Sequence, residues 1–189
     1  MGTLTGVISP SRSPDTTRTR YRDAAKIQIV KLASDDGVDA LEIVISGYQF
    51  PDAEDPRKRY SWHMITGRAA NTGESWTFRY PALTCDESPR VSTWLRHVAR
   101  WHQDSGTEVR PAKLTFTEPN LTLDIVGRPA RSVAFDVELD LEFRSPRNST
   151  QREAGATPNL LHLTMTSEAL LTAAVDWEQD LARYPDLLA

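Results

Sequence analysis

The side chains best equipped for bond-making chemistry are one thiol, Cys85, and four imidazoles, His63, His97, His102 and His162. A cysteine and a histidine form a nucleophile–base pair only within hydrogen-bond reach of each other, and nothing in their spacing requires that here. His97 and His102 lie five residues apart, roughly 140° around a helix, which is not the i, i+4 geometry of a zinc pair. His102 falls on an apolar helical face and is expected at a core edge. HExxH, CxxC, GxSxG, the Walker loop and GxGxxG are all missing from the sequence. No catalytic residue, metal or cofactor is expected, and the reading is of a protein that is not an enzyme. A Cys85–histidine hydrolase stays open as an outside alternative.

The carboxylates are more informative. In "VAFDVELDLEF" (133–143), Phe135, Val137, Leu139, Leu141 and Phe143 alternate with Asp136, Glu138, Asp140 and Glu142. On an extended strand the four acids share one face at intervals of roughly 7 Å. The expected neighbours Thr115, Thr117, Thr122 and Asp124 carry no positive charge, so the stripe is expected to face a basic partner or open solvent. A second acidic group, Asp52, Glu54 and Asp55, is followed at once by Arg57, Lys58 and Arg59. Pro51 and Pro56 stiffen that stretch, and no glycine is placed for a calcium loop. Charge neutralisation within the turn is the simpler expectation, with Tyr48 and Phe50 stapling it to the core. These seven acids are the candidate partner-binding residues.

The elements that must position them read mostly with a period of two. Strands are expected at 27–32, 40–46, 60–67, 75–80, 113–117, 120–126, 133–143 and 160–165, with "DGV" and "NTG" as turns. Gly47 allows a bulge at the end of its strand. Two segments switch to helical spacing. Over 88–102, Val91, Trp94, Leu95, Val98 and Trp101 form an apolar face, with Ser88 as cap and Pro89 at the first position. Over 167–184, Leu170, Ala174, Trp177, Leu181 and Tyr184 do the same, with Thr166 or Ser167 as cap and Pro185 as terminator. The expected fold class is α+β: a curved antiparallel sheet or sandwich of eight or nine strands packed by two amphipathic helices.

The chain has 189 residues and a net charge of −4. Residues 1–22 hold Arg12, Arg18, Arg20 and Arg22 against Asp15 alone, leaving 18 basic and 25 acidic residues in the remainder. Residues 1–23 are expected to be a disordered Arg/Ser/Pro-rich tail, and 24–189 a single domain. An acidic domain repels phosphate backbones, so the folded part is not expected to bind nucleic acid. No apolar run approaches the ~20 residues of a membrane span, and no signal peptide is evident. A single cysteine fits a reducing cytoplasm. Oligomeric state is left open.

Three phrases in order, "GYQFPDAED…YSWHMITG" (47–67), "SWTFRYPALT…STWL" (75–95) and "LTFTEPNLTLDI…VELDLEFRSP" (114–146), resemble the WapI-type immunity proteins. The similarity runs over roughly residues 26–184. Gly47, Tyr48, Gln49, Phe50, Pro51 and Asp52 carry it, with Trp62 and the later Glu118, Pro119 and Asn120, and their roles are expected to be structural. The resemblance implies a bacterial cytoplasmic protein without catalytic activity. Such a protein occludes the toxin domain of a wall-associated, contact-delivered toxin. A generic binding module or adaptor on the same scaffold is the alternative.

Overall fold

The structure is a computed structural model that describes residues 29–104, 109–149 and 158–188. The expected 1–23 tail and the first residues of the expected 27–32 strand lie outside them. Among the described residues, seven strands and two long helices make up an α+β fold. Strands β1 (Val30–Ala33), β2 (Ala40–Tyr48), β3 (Trp62–Asn71) and β4 (Glu74–Thr84) form an antiparallel meander in sequence order. A four-residue helix, α1 (Pro56–Arg59), sits in the β2–β3 connection, and α2 (Pro89–Gln103) follows β4. Strands β5 (Leu121–Gly127), β6 (Val133–Leu139) and β7 (Asn159–Met165) form a second antiparallel sheet. A 3₁₀ turn (Leu141–Phe143) and the short α3 (Pro146–Ser149) lie between β6 and β7, and α4 (Ser167–Arg183) follows β7.

Alternation places one face of each sheet inside. Leu41, Ile43 and Ile45 of β2 and Val133, Phe135, Val137 and Leu139 of β6 are buried, and they join one hydrophobic core with α2 and α4. The tryptophans fill it and still satisfy their N–H groups, as large amphipathic rings must when buried. Trp177 donates to the Ser88 carbonyl at 2.8 Å, Trp94 to Ala112 at 2.8 Å and Trp76 to Phe143 at 2.8 Å. Trp94 also meets Phe135 edge-on, with centroids 5.8 Å apart. The two sheets join where the β1–β2 turn crosses the outer edge of β7. The Asp39 carboxylate accepts the His162 N–H at 2.6 Å, and Asp35 N–H donates to the Thr164 carbonyl at 3.0 Å.

Gly67 is closely packed on both sides. It lies opposite Phe78 in the β3–β4 register, and a Cβ there would come within 2.4 Å of the Phe78 ring and 2.8 Å of the Glu42 carbonyl. Phe78 in turn stacks on Phe143 at 4.0 Å.

Three expectations need correction. Residues 113–117 form no strand: their only β contact is the isolated Leu114–Leu123 bridge, so the described residues hold seven strands where eight or nine were expected. The strand expected over 133–143 stops at Leu139. The Asp140 carboxylate accepts the Leu141 N–H at 2.6 Å and starts the 3₁₀ turn, a local side-chain bond that competes with the ladder. Leu141 therefore turns outward while Phe143 stays buried. Ser88 does not cap α2: its backbone is already helical, and the Thr84 carbonyl and His63 Nδ1 share its single hydroxyl proton. Thr166 does cap α4, accepting the Ala169 N–H at 3.2 Å. No helix among the described residues is long and apolar enough to cross a membrane.

Candidate partner-binding surface

The acidic stripe lies on the outer face of the three-stranded sheet. Across that face Asp136 sits between Asp124 and His162, and Glu138 between Thr122 and Leu160. The expectation of a face without cations does not hold. Residues 110–113 run as coil beside β5, so that Lys113 reaches Glu138 at 2.9 Å and Arg110 reaches Asp124 at 3.6 Å. His162 bonds Asp136 through Nδ1 at 2.7 Å. Asp140 pairs with Arg144, and Glu142 accepts the Asn120 amide N–H at 2.9 Å. The partly exposed Lys113 and Arg110 pairs are each worth only about 0–1 kcal/mol. They do flatten the field that a basic partner would feel. The last two acids also leave the strand, so the stripe ends as a turn.

The 48–59 turn departs from expectation in the opposite direction. Asp52, Glu54 and Asp55 are exposed, and none forms an ion pair with Arg57, Lys58 or Arg59. Asp55 instead caps α1 by accepting the Arg57 N–H at 3.0 Å. Arg59 donates to the Ala53 carbonyl at 2.8 Å, and Lys58 lies 5.0 Å over the Phe50 ring. The turn therefore presents Asp52 and Glu54 unneutralised. The residues of the GYQFPD phrase hold it in place. Gly47, at φ 146, lies at the register shift between Ile45 and Gly47, the expected bulge. Gln49 N–H donates to the Trp62 carbonyl at 3.0 Å, and Trp62 itself is half-buried at the start of β3. Tyr48 stacks on His63 at 5.6 Å and meets Tyr60 and Tyr184 edge-on. Phe50 is half-buried like Tyr48, with Lys58 over its ring, whereas Pro51 is exposed.

His63, His102 and His162 are engaged in structural bonds. His63 is fully buried between the Ser88 hydroxyl, 2.8 Å from Nδ1, and the Tyr184 carbonyl, 2.8 Å from Nε2. Burial holds its pKa below the ordinary imidazole range, so the ring is neutral, with Nε2–H donating to Tyr184. His102 is held by Ser167 and the Pro129 carbonyl, next to the half-buried edge of α2, as expected. His97 stands half-buried on α2. Cys85 is buried, its thiol pushed up to about 12 by that burial and by Asp186 and Asp86. No imidazole hydrogen-bonds to it, so the Cys85–histidine pair is not built. Among the described residues no group of three His, Cys, Asp or Glu side chains could hold a metal ion.

Two structural groups escaped the reading of the sequence. Asp180 is fully buried on α4, where it accepts the Ile45 N–H at 3.1 Å and pairs with Arg183. Burial, working against those bonds, pushes its pKa up. Its position three residues after Trp177 was the available signal, since that spacing puts it on the inner face. His63 has no comparable local signal, because its partners Ser88 and Tyr184 lie 25 and 121 residues away.

The described residues thus combine hydrogen-bonded polar groups such as His63 and Asp180 inside with two charge-bearing surfaces outside. The model of the Immunity protein WapI-like family matches residues 31–185, and the chain belongs to that family. No match was found among curated proteins or among solved structures.

Proposed function

We propose that this chain is a bacterial cytoplasmic immunity protein that binds the toxin domain of a contact-delivered toxin and neutralises it by occlusion, without catalysis of its own. The observation that carries this reading is the family match over residues 31–185. The surface chemistry supports a basic toxin domain as the partner. Asp52, Glu54 and Asp55 on the β2–β3 turn and Asp136, Glu138, Asp140 and Glu142 around β6 supply the acidic contacts. Complementary charge of this kind raises association rates and discriminates among partners more than it sets affinity. The folded part binds neither nucleic acid nor membrane in this reading. Co-expression tests it. A strain expressing the toxin domain encoded beside this chain's gene should grow when the chain is present and arrest when it is absent. Arrest in both cases, with the chain folded and soluble, would refute the proposal.

A further inference from the structure

We infer that the turn at residues 140–144 is the anchor of the toxin interface, with the Leu141 side chain entering an apolar socket whose basic rim meets Glu142 and Glu118. This rests on the immunity reading above and assigns the part of the surface that would dominate binding.

Leu141 combines two features that are unfavourable in the isolated protein. Its φ is 48°, and it is the only non-glycine residue with positive φ among those described. Its side chain is 43% exposed. Glycine, asparagine or aspartate would suit that backbone better, and a polar side chain would suit the exposure. The alternation of the preceding strand would have placed this leucine inside, so its outward position is a product of the turn. The turn is also held from every side. Asp140 accepts the Leu141 N–H and pairs with Arg144, whose N–H returns to the Leu141 carbonyl at 3.2 Å. Asp140 N–H donates to the Asn120 carbonyl at 3.0 Å, and the Asn120 amide bonds Glu142. Phe143 is fully buried against Phe78, and its carbonyl accepts the Trp76 N–H. A protruding leucine on such a base is ordered before any partner arrives, which lowers the entropy lost on binding.

Charge identifies the occupant. Asp124, Glu138 and Asp140 are matched by Arg110, Lys113 and Arg144, and Asp136 is hydrogen-bonded by His162. No cation pairs with Glu142, or with Glu118 two residues before Asn120, among the described residues. The unneutralised acid is thus at the leucine end of the stripe. An exposed leucine next in sequence to the unpaired Glu142, with Glu118 two residues before the Asn120 that bonds Glu142, fits a protein surface with an apolar socket and a Lys/Arg rim, the arrangement in which single residues dominate an interface.

The test uses the full chain and the toxin domain encoded beside its gene, with affinity, rates and thermal transition measured for each variant. Leu141→Ala and Leu141→Asn should weaken binding by about 10-fold or more, mainly through faster dissociation. Leu141→Met should stay within about threefold. Leu141→Asn suits the backbone and should keep its Tm within about 2 °C of the parent or raise it. Glu142→Gln keeps the bond from Asn120 and should slow association and flatten its salt dependence. Leu141→Asn that is folded and binds like the parent would overturn the inference while leaving the immunity reading intact. A parent chain that fails to bind this toxin domain would overturn the immunity reading, and the anchor with it.

Discussion

At the residue scale, the histidine that could have done chemistry serves structure instead. Neutral His63 joins the start of β3 to the residue after α4, and its burial disfavours the imidazolium. The unfolded chain takes up that proton first as the pH falls below about 6.5, so His63 contributes a loss of stability from there down to its own lower pKa. Buried Asp180 has its pKa raised and works in the opposite sense: the native state binds its proton first on acidification. Urea unfolding between pH 7 and pH 5 should therefore show a decline in stability that is shallower in His63→Gln than in the parent. An unchanged slope would mean that the ring stays equally protonated in both states. Residue types alone pointed to none of this. Cys85 and His63 were visible as candidates, but whether an imidazole meets a thiol or a carbonyl depends on partners far along the chain.

At the element scale, hydrophobic alternation located β2, β3 and β7, the last of these an edge strand, and β6 as far as Leu139. It failed in two places. "KLTFT" alternates equally well, yet it forms only the Leu114–Leu123 bridge, because pairing depends on the neighbour as well as on the strand. The end of β6 was misread for a different reason. "LDLEF" has a strand's pattern, but Asp140 diverts the backbone, and a leucine in the left-handed region costs about 1–2 kcal/mol that periodicity does not register. That diversion relocated half of the candidate stripe. The β3–β4 hairpin carries a sharper test, since the Phe78 ring occupies the space a Gly67 side chain would need. Gly67→Ala should cost about 1–3 kcal/mol by overpacking. Because Phe78 stacks on Phe143, the same substitution should disturb the 140–144 turn, readable as a change in the chemical shifts of residues 140–144. A neutral Gly67→Ala would show that the ring moves aside freely.

At the scale of the whole molecule, both sheets, α2 and α4 contribute to one continuous core. Thermal unfolding should therefore be a single transition, with the calorimetric and van't Hoff enthalpies equal. Two resolved transitions would mean that the sheets fold independently. The charge reading changed. The acids were evident from the sequence, but the cations that pair with Asp124 and Glu138 come from a coil whose path no local pattern disclosed, and the unpaired Glu142 lies at the leucine end. One further consequence concerns how the molecule would bear load. Tyr48 donates to the Pro185 carbonyl at 2.6 Å while His63 holds the neighbouring Tyr184 carbonyl, so the stretch leaving α4 is lashed to the end of β2 and the beginning of β3. Tension applied through residues 186–188 would pass first into those two side-chain ties, and α4 could not be peeled away like a loose thread until both had given.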